Sequence, residues 1–322
     1  MGLAETLALP SVARPHIGPL PSHRSHAFPL VTRPADWVIG LESGPGNREA
    51  APVKFAICNE IFKDWKLDDV FAYTAELGYD GVELAPFTLA NSVNEISSAE
   101  RRRIQEAAAR NKIELAGIHW VLVKPEGLYV NHPDAAVRER TAAYFCELVD
   151  FCADVGGSRM VVGSPKQRNV MPGVSRAQAE QWTLETFRGA VARAEERGVS
   201  ICLEPLAPSE TNFINTAAEA IEFVHRMPSS RFKIILDVKA MSSEAKPIPQ
   251  IIRESSPHFA HFHANDPNLK GPGFGEVDFR PIAAALKETG YSGFVSVEEF
   301  NFEEGAETIA SRSLAYLHEC FQ

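Results

Sequence analysis

The chain has 322 residues, 45% hydrophobic and 23% charged, so it is long enough to bury a large core. Its formal net charge of −10 argues against a protein that grips a nucleic-acid backbone, because that task requires a basic surface. No apolar run reaches the length of about 18 residues that a membrane-spanning helix needs, so we expect no membrane partner. The five cysteines are scattered without a C-x-x-C pair, which favours free thiols in the cytoplasm.

The first 52 residues differ from the rest of the chain. They contain eight prolines and show little hydrophobic periodicity. Such a composition is typical of a segment that buries little apolar surface. We therefore predict an N-terminal extension over residues 1–52, disordered or loosely packed, followed by one domain over residues 53–322.

From residue 53 onward, short apolar runs alternate with amphipathic stretches. Strands are predicted at 53–58, 80–86, 113–120, 158–164, 199–205, 232–238, 258–264 and 293–299. The helices that follow them are predicted near 67–77, 97–110, 134–155, 175–197, 216–227, 243–255, 279–289 and 304–320, with Ser97 or Ser98 as the N-cap of the second. Strands that alternate with helices predict a parallel sheet with right-handed crossovers. Eight such units favour an α/β fold of the closed (β/α)8 TIM barrel type over an open sheet.

Potential metal ligands or acid–base groups stand at the ends of six of the eight predicted strands. These residues are Glu83, His119, Glu204, Asp237, His263 and Glu298. The carboxyl ends of the strands form the mouth of a TIM barrel, where active sites lie. One such residue alone is explained by a helix cap or a salt bridge at the rim. Six at the same end of the barrel favour a functional site.

The last four strands supply three carboxylates and one imidazole, from Glu204, Asp237, His263 and Glu298. This donor set suits one divalent metal ion such as Mn²⁺, Co²⁺ or Mg²⁺. Because no thiolate is included, the pattern is typical of a catalytic site and not of a structural zinc site.

The alternation of side chains along a strand sorts the neighbouring residues. His261 shares a face of its strand with His263, so we expect it to be a hydrogen-bonded histidine behind the ligands or in the core. Glu299 points away from Glu298, so we expect it at the rim.

Several motifs resemble a known family. They are VELAP, GIHW, CLEPLAPSETNFINT, ILDV, HFHANDPNLKGPGFGEVDF and GFVSVEEF, spread over residues 53–320. The chain resembles the xylose-isomerase-like barrels, in particular the sugar isomerase and epimerase branch that includes ketose 3-epimerases and hydroxypyruvate isomerases. The resemblance implies that Glu204, Asp237, His263 and Glu298 hold the metal. It also implies that Glu204 and Glu298 are the catalytic acid–base pair and that Glu210 contacts substrate hydroxyls.

The implied reaction is proton abstraction next to a carbonyl group of a carbohydrate, through an enediolate that the metal stabilises. The two glutamates come from opposite sides of the site, so one could remove the proton and the other return it. Members of the branch often form dimers, so the resemblance also implies a homodimer.

Two positions depart from the epimerase pattern. Ala240 stands where the resemblance implies a substrate-binding histidine, and Leu269 stands where it implies an arginine. Lys239 and the loop that contains Lys166 offer substitute donors for substrate, and Glu83 and His119 complete the expected substrate contacts. A lyase that eliminates a group from a 3-oxo-glycoside would use the same metal and carboxylates. An endonuclease acting at abasic sites and a barrel without activity are further alternatives.

Overall fold

The computed structural model of the protein describes residues 52–322, so the predicted extension, apart from Pro52, lies outside the described residues. The strands are β1 (Lys54–Cys58), β2 (Gly81–Leu84), β3 (Glu114–Ile118), β4 (Arg159–Val162), β5 (Ser200–Leu203), β6 (Phe232–Asp237), β7 (Phe259–Ala264) and β8 (Phe294–Val297). Every strand is parallel to its neighbours, and β1 pairs with β8 to close the barrel. The predicted (β/α)8 barrel is confirmed.

Helices surround this barrel in the described part of the chain. They are α1 (Leu67–Leu77), α2 (Ser98–Arg110), α3 (Ala135–Val155), α4 (Arg176–Arg197), α5 (Ala217–His225), α6 (Val238–Met241), α7 (Ile248–Ser255), α8 (Arg280–Glu288) and α9 (Ala306–Cys320). The prediction of one helix near 243–255 was wrong in its extent. Residues 238–241 form a separate short helix, and α7 begins at Ile248 after Pro247. Pro249 lies in its first turn, where the missing N–H of proline costs no helical hydrogen bond.

Local chemistry explains the helix ends. Ser97 caps α2 in a capping box, because its hydroxyl accepts from the backbone of Glu100 while the Glu100 carboxylate accepts from Ser97. Helices α3 and α4 are followed by Gly156 and Gly198 as C-caps, which adopt the left-handed conformation that glycine tolerates best. These stops return the chain to the N-terminal end of the next strand.

Backbone hydrogen bonds continue past the last strand residues at the carboxyl ends. The amide of His119 donates to Leu84, that of Glu204 to Val162, and that of Glu298 to Ala264. The polar residues at the barrel mouth are therefore held by the sheet itself. No helix within residues 52–322 is long and apolar enough to span a lipid bilayer.

Candidate metal centre and active site

Four side chains from consecutive strands converge at the mouth of the barrel. One ligand atom each from Glu204, Asp237, His263 and Glu298 can be chosen so that all four lie within 4.8 Å of one another. All four residues are buried, and the most exposed of them, Glu204, retains only 7% of its accessible surface. Three buried carboxylates this close repel one another unless a cation or protons neutralise them.

The electrostatics of this cluster favour a bound cation. Burial and the neighbouring Asp237 carboxylate raise the pKa of Glu204 to about 8. Burial and the charge of Glu298 raise the pKa of Asp237 to about 6. Nδ1 of His263 is buried without a hydrogen bond to any described residue, although it lies 3.2 Å from Oε2 of Glu298. An unpaired imidazole nitrogen among buried carboxylates that repel one another fits a divalent metal ion.

Glu298 differs from Glu204 in its surroundings. The indole of Trp120 donates to its Oε1 at 3.0 Å, and the amide of Asn265 donates to its Oε2 at 3.1 Å. Although burial alone would raise it, the positive charges of His263 and His119 close to the carboxylate hold the pKa of Glu298 well below its usual range. Glu298 is thus a restrained anion.

Glu204 has a different environment at the end of β5. No hydrogen bond from residues 52–322 reaches its carboxylate. Its main-chain amide donates to Val162, and its main-chain carbonyl accepts from Nη1 of Arg168 at 2.6 Å. The guanidinium of Arg168 also donates to the carbonyl of Ile214 at 3.1 Å and is itself buried. Arg168 therefore links the two ends of the loop after β5. It makes no hydrogen bond to the Glu204 carboxylate, which stays available to bind a metal or move a proton.

Glu83 lies on the opposite side of the His263 imidazole from Glu298. Its Oε2 is 3.2 Å from Nε2 of His263 and 2.8 Å from Nε2 of His261, and all three side chains are fully buried. The expected hydrogen bonding of His261 is confirmed. Glu83 was expected among the substrate contacts, but the His263 ring separates it from Glu298, so this position suits orientation of the imidazole.

His119 lies between two carboxylates at the end of β3. Its Nε2 is 2.9 Å from Oε2 of Glu60, and its Nδ1 is 3.5 Å from Oε1 of Glu298. Burial opposes protonation, yet the charge of Glu60 and these contacts raise the pKa of His119 to about 10. The imidazole is fully buried, and both of its ring nitrogens face carboxylates of the protein.

Two predicted substrate contacts, Lys239 and Glu210, pair with each other close to the ligands. Nζ of Lys239 lies 2.7 Å from Oε1 of Glu210 and 4.7 Å from the ring centroid of Phe300. Despite partial burial, the charges of Asp237 and Glu210 raise the pKa of Lys239. Lys239 is therefore a cation in the acidic surroundings of the site.

The other predicted positions are peripheral or buried. Lys166 is exposed on the loop after β4 and makes no hydrogen bond within the described residues. Ala240 is buried, and its backbone amide donates a hydrogen bond to the carboxylate of Asp237. Leu269 is 46% exposed and has a positive φ of 69°. The prediction that Glu299 lies at the rim was wrong. Glu299 does point away from the ligands, but it is fully buried and accepts a hydrogen bond from the amide of Gly271.

Sequence reasoning missed three residues that touch the ligands or their neighbours, namely Glu60, Trp120 and Asn265. Asn265 follows His263 by two positions, so the alternation of side chains could have identified it. It donates to both Asp237 and Glu298. Trp120 follows His119 directly, but nothing in the sequence indicates that its indole reaches β8. Glu60 lies in a short turn after β1, where no periodic signal exists.

The chain is similar to known proteins in sequence and in fold. A family model described as the xylose isomerase-like TIM barrel matches residues 71–320. D-psicose 3-epimerase from Agrobacterium fabrum is 31% identical over 232 residues, covering 70% of this chain and 76% of that protein. 3-dehydro-D-guloside 4-epimerase from Escherichia coli is 24% identical over 276 residues, covering 83% of this chain and 100% of that protein.

The solved structures agree with these sequence matches. A crystal structure of D-psicose 3-epimerase in the presence of D-fructose superposes with a TM-score of 0.73 and 25% identity. The match covers 84% of this chain and 99% of that one. With a closed eight-stranded barrel and a family model that matches residues 71–320, the chain belongs to the xylose isomerase-like TIM barrel family.

Proposed function

We propose that the chain is a divalent-metal-dependent sugar isomerase or epimerase that removes a proton from the carbon next to a carbonyl group. The observation that carries this proposal is the convergence of Glu204, Asp237, His263 and Glu298 within 4.8 Å at the barrel mouth. The named relatives support the reaction class, since they are epimerases of D-psicose and of 3-dehydro-D-guloside.

The four converging side chains would hold one divalent ion, for which Mn²⁺, Co²⁺ and Mg²⁺ are the candidates. A bound ion would polarise the substrate carbonyl and make the adjacent C–H group more acidic. Glu204 and Glu298 are the proposed acid and base, because they follow β5 and β8 and approach the site from different directions. A positioned carboxylate of this kind contributes about 10²–10⁴-fold to a proton-transfer rate.

The remaining polar side chains would orient the substrate. The Lys239–Glu210 ion pair combines a donor and an acceptor that can bind neighbouring hydroxyl groups. His119, predicted as a substrate contact, lies against Oε1 of Glu298 and would act on the substrate through that carboxylate. Lys166 is proposed only as a contact for the distal end of the substrate, since it is exposed on the loop after β4.

A second candidate is elimination from a 3-oxo-glycoside on the same site. Ala240 and Leu269 offer no side-chain donor where the resemblance to ketose epimerases implies histidine and arginine, and Leu269 is open to solvent. This change suits a substrate with a bulkier group at that end. Elimination begins with the same proton abstraction, and its leaving group would be the glycosidic or hydroxyl oxygen one carbon further on.

A panel of ketoses, aldoses and 3-oxo-glycosides, incubated with enzyme in D2O, tests both candidates. Deuterium at the carbon beside the carbonyl, with a changed configuration or a shifted carbonyl, supports the isomerase or epimerase. An unsaturated product supports elimination. Chelation should stop either reaction, and Mn²⁺ or Co²⁺ should restore it. Full activity in the presence of chelator would contradict the proposal.

We also propose that the protein is a cytoplasmic homodimer. All five cysteines are free thiols, which is consistent with a reducing compartment. Light scattering on the purified full chain tests the dimer, and fractionation of the source cells tests the location.

A further inference from the structure

Trp120 adopts a backbone conformation that is rare for a bulky residue. Its φ is 53°, in the left-handed region, two residues after the end of β3. Such conformations persist where surrounding contacts hold them, and they cluster at functional sites. The indole ring lies beside Phe87, at 6.1 Å between ring centroids, and beside Phe300, at 6.0 Å.

The polar end of this side chain has one specific partner. Nε1 of Trp120 donates to Oε1 of Glu298 at 3.0 Å, a bond that joins the end of β3 to the end of β8. A phenyl ring would fill much of the space between Phe87 and Phe300 but could not make this bond. Packing alone therefore does not explain the presence of an indole here.

A second contact reaches the same oxygen. Nδ1 of His119 lies 3.5 Å from Oε1 of Glu298, and the ring is fixed from behind by Glu60, whose Oε2 is 2.9 Å from Nε2. Glu60 and His119 are both buried, so water does not compete for these contacts. Trp120 and the Glu60–His119 pair thus converge on one atom.

The other oxygen of Glu298 faces the metal ligands. Oε2 lies 3.2 Å from Nδ1 of His263 and 3.1 Å from Nδ2 of Asn265. The terminal torsion of a glutamate side chain is broad, so without restraint the carboxylate plane rotates and neither oxygen stays directed at the ligands. Donors that hold one oxygen fix this plane and so direct the other oxygen at the metal.

We propose that Trp120 and the Glu60–His119 pair are positioning residues that hold Oε1 of Glu298, so that Oε2 is presented to the metal. The effect on turnover rests on the proposed function, whereas the effect on metal affinity does not. Residues that orient a metal ligand in this way are typically worth about 10–100-fold in metal affinity or activity.

The test uses the full-length protein and Mn²⁺ alone, whose affinity is measured by titration with electron paramagnetic resonance. W120F removes the indole N–H and keeps an aromatic ring, and E60Q removes the charge behind His119. Trp65→Phe is the matched control, because Trp65 packs against Phe62 and Tyr73 and is 36% exposed. Thermal melting of the metal-free proteins verifies that each variant is folded.

We expect W120F to weaken Mn²⁺ binding by about 10–100-fold and E60Q to weaken it less, since glutamine still accepts a hydrogen bond. With a substrate identified by the deuterium-exchange screen, the W120F substitution should lower kcat more than it raises KM. Because both act on one oxygen, the double variant should lose less affinity than the product of the single losses. Wild-type Mn²⁺ affinity in folded W120F and E60Q would overturn the inference. Mn²⁺ binding by wild type without turnover of any sugar would contradict the proposed function instead.

Discussion

Gly163 faces the carboxylate of Glu204 so closely that no side chain fits between them. A Cβ atom added to Gly163, directly after β4, would lie 2.1 Å from Oε2 of Glu204 and 3.2 Å from its Cδ. The φ of Gly163 lies outside the left-handed region, so alanine would not strain the backbone. The Glu204 carboxylate therefore occupies space that a side chain at position 163 would fill.

Gly163→Ala should therefore displace the Glu204 carboxylate without unfolding the barrel. Because a misplacement of about 1 Å can cost about 100-fold in rate, we expect a loss of that order in kcat. Mn²⁺ affinity should fall as well, as measured by titration. The matched control is Gly189→Ala in α4, where the nearest atom to an added Cβ is Sγ of Cys146 at 3.5 Å. That control should keep full activity and gain about 0.5–1 kcal/mol in stability. Equal activity of the two variants would contradict the role of Gly163.

Glu83→Gln should weaken metal binding although residue 83 is not one of the four converging ligands. The substitution removes the charge that faces Nε2 of His263 and His261. We expect Mn²⁺ affinity to fall by about 10–100-fold, because the carboxylate orients the imidazole and increases its basicity. Glu114→Gln is the control, since Glu114 makes an exposed ion pair with Lys54, and such pairs contribute at most about 1 kcal/mol. Unchanged affinity in Glu83→Gln would refute this orienting role.

The stability of the metal-free protein should decrease as pH rises from 6 to 8. The pKa of Glu204 is about 8 when folded, above the ordinary carboxylate value, so the folded state binds a proton that the unfolded state has lost. His119, with a pKa of about 10, acts in the same direction, because its extra stability is present below the ordinary imidazole pKa and is lost as pH rises toward 10. Melting temperatures in chelator at both pH values measure this decrease.

Saturating Mn²⁺ should remove much of the pH dependence, because the metal replaces the protons on the ligands. Glu204→Gln is the matched variant. Because this variant lacks the buried charge, it should melt at a higher temperature than wild type at pH 8 and at nearly the same temperature as wild type at pH 6. If the wild-type protein in chelator became more stable between pH 6 and 8, the folded ligand cluster would not hold the extra protons that this prediction requires.

Glu204→Gln and Glu298→Gln should each lower turnover by about 10²–10⁴-fold, as expected for the loss of a positioned acid or base. Deuterium exchange at the carbon beside the carbonyl should fall with turnover if that carboxylate moves the proton. Glu303→Gln serves as the control, because Glu303 is exposed in the loop after β8. Near-normal exchange in either active-site variant would remove that residue from the chemistry.

The sequence alone predicted the residues whose positions depend on strand order and alternation. Asp237 and His263 lie on their strands, and Glu204 and Glu298 directly follow theirs, so one rule about barrel mouths covers all four. The same rule placed Glu83 at the mouth, although its side chain points behind His263. Depth within the barrel depends on strand stagger, which no local pattern encodes.

Patterns along the chain thus determined that eight strand–helix units form a barrel and which strand ends carry acids and imidazoles. Apolar periodicity, proline, glycine and helix caps are local, so they can be read without knowledge of the fold. Only the tertiary structure decided that the indole of Trp120 reaches Glu298, that Glu60 supports His119, and that the register of β4 and β5 places Gly163 against Glu204. Those contacts join residues far apart in the chain, and they exist because curvature and stagger of the sheet bring particular strand ends within hydrogen-bond distance.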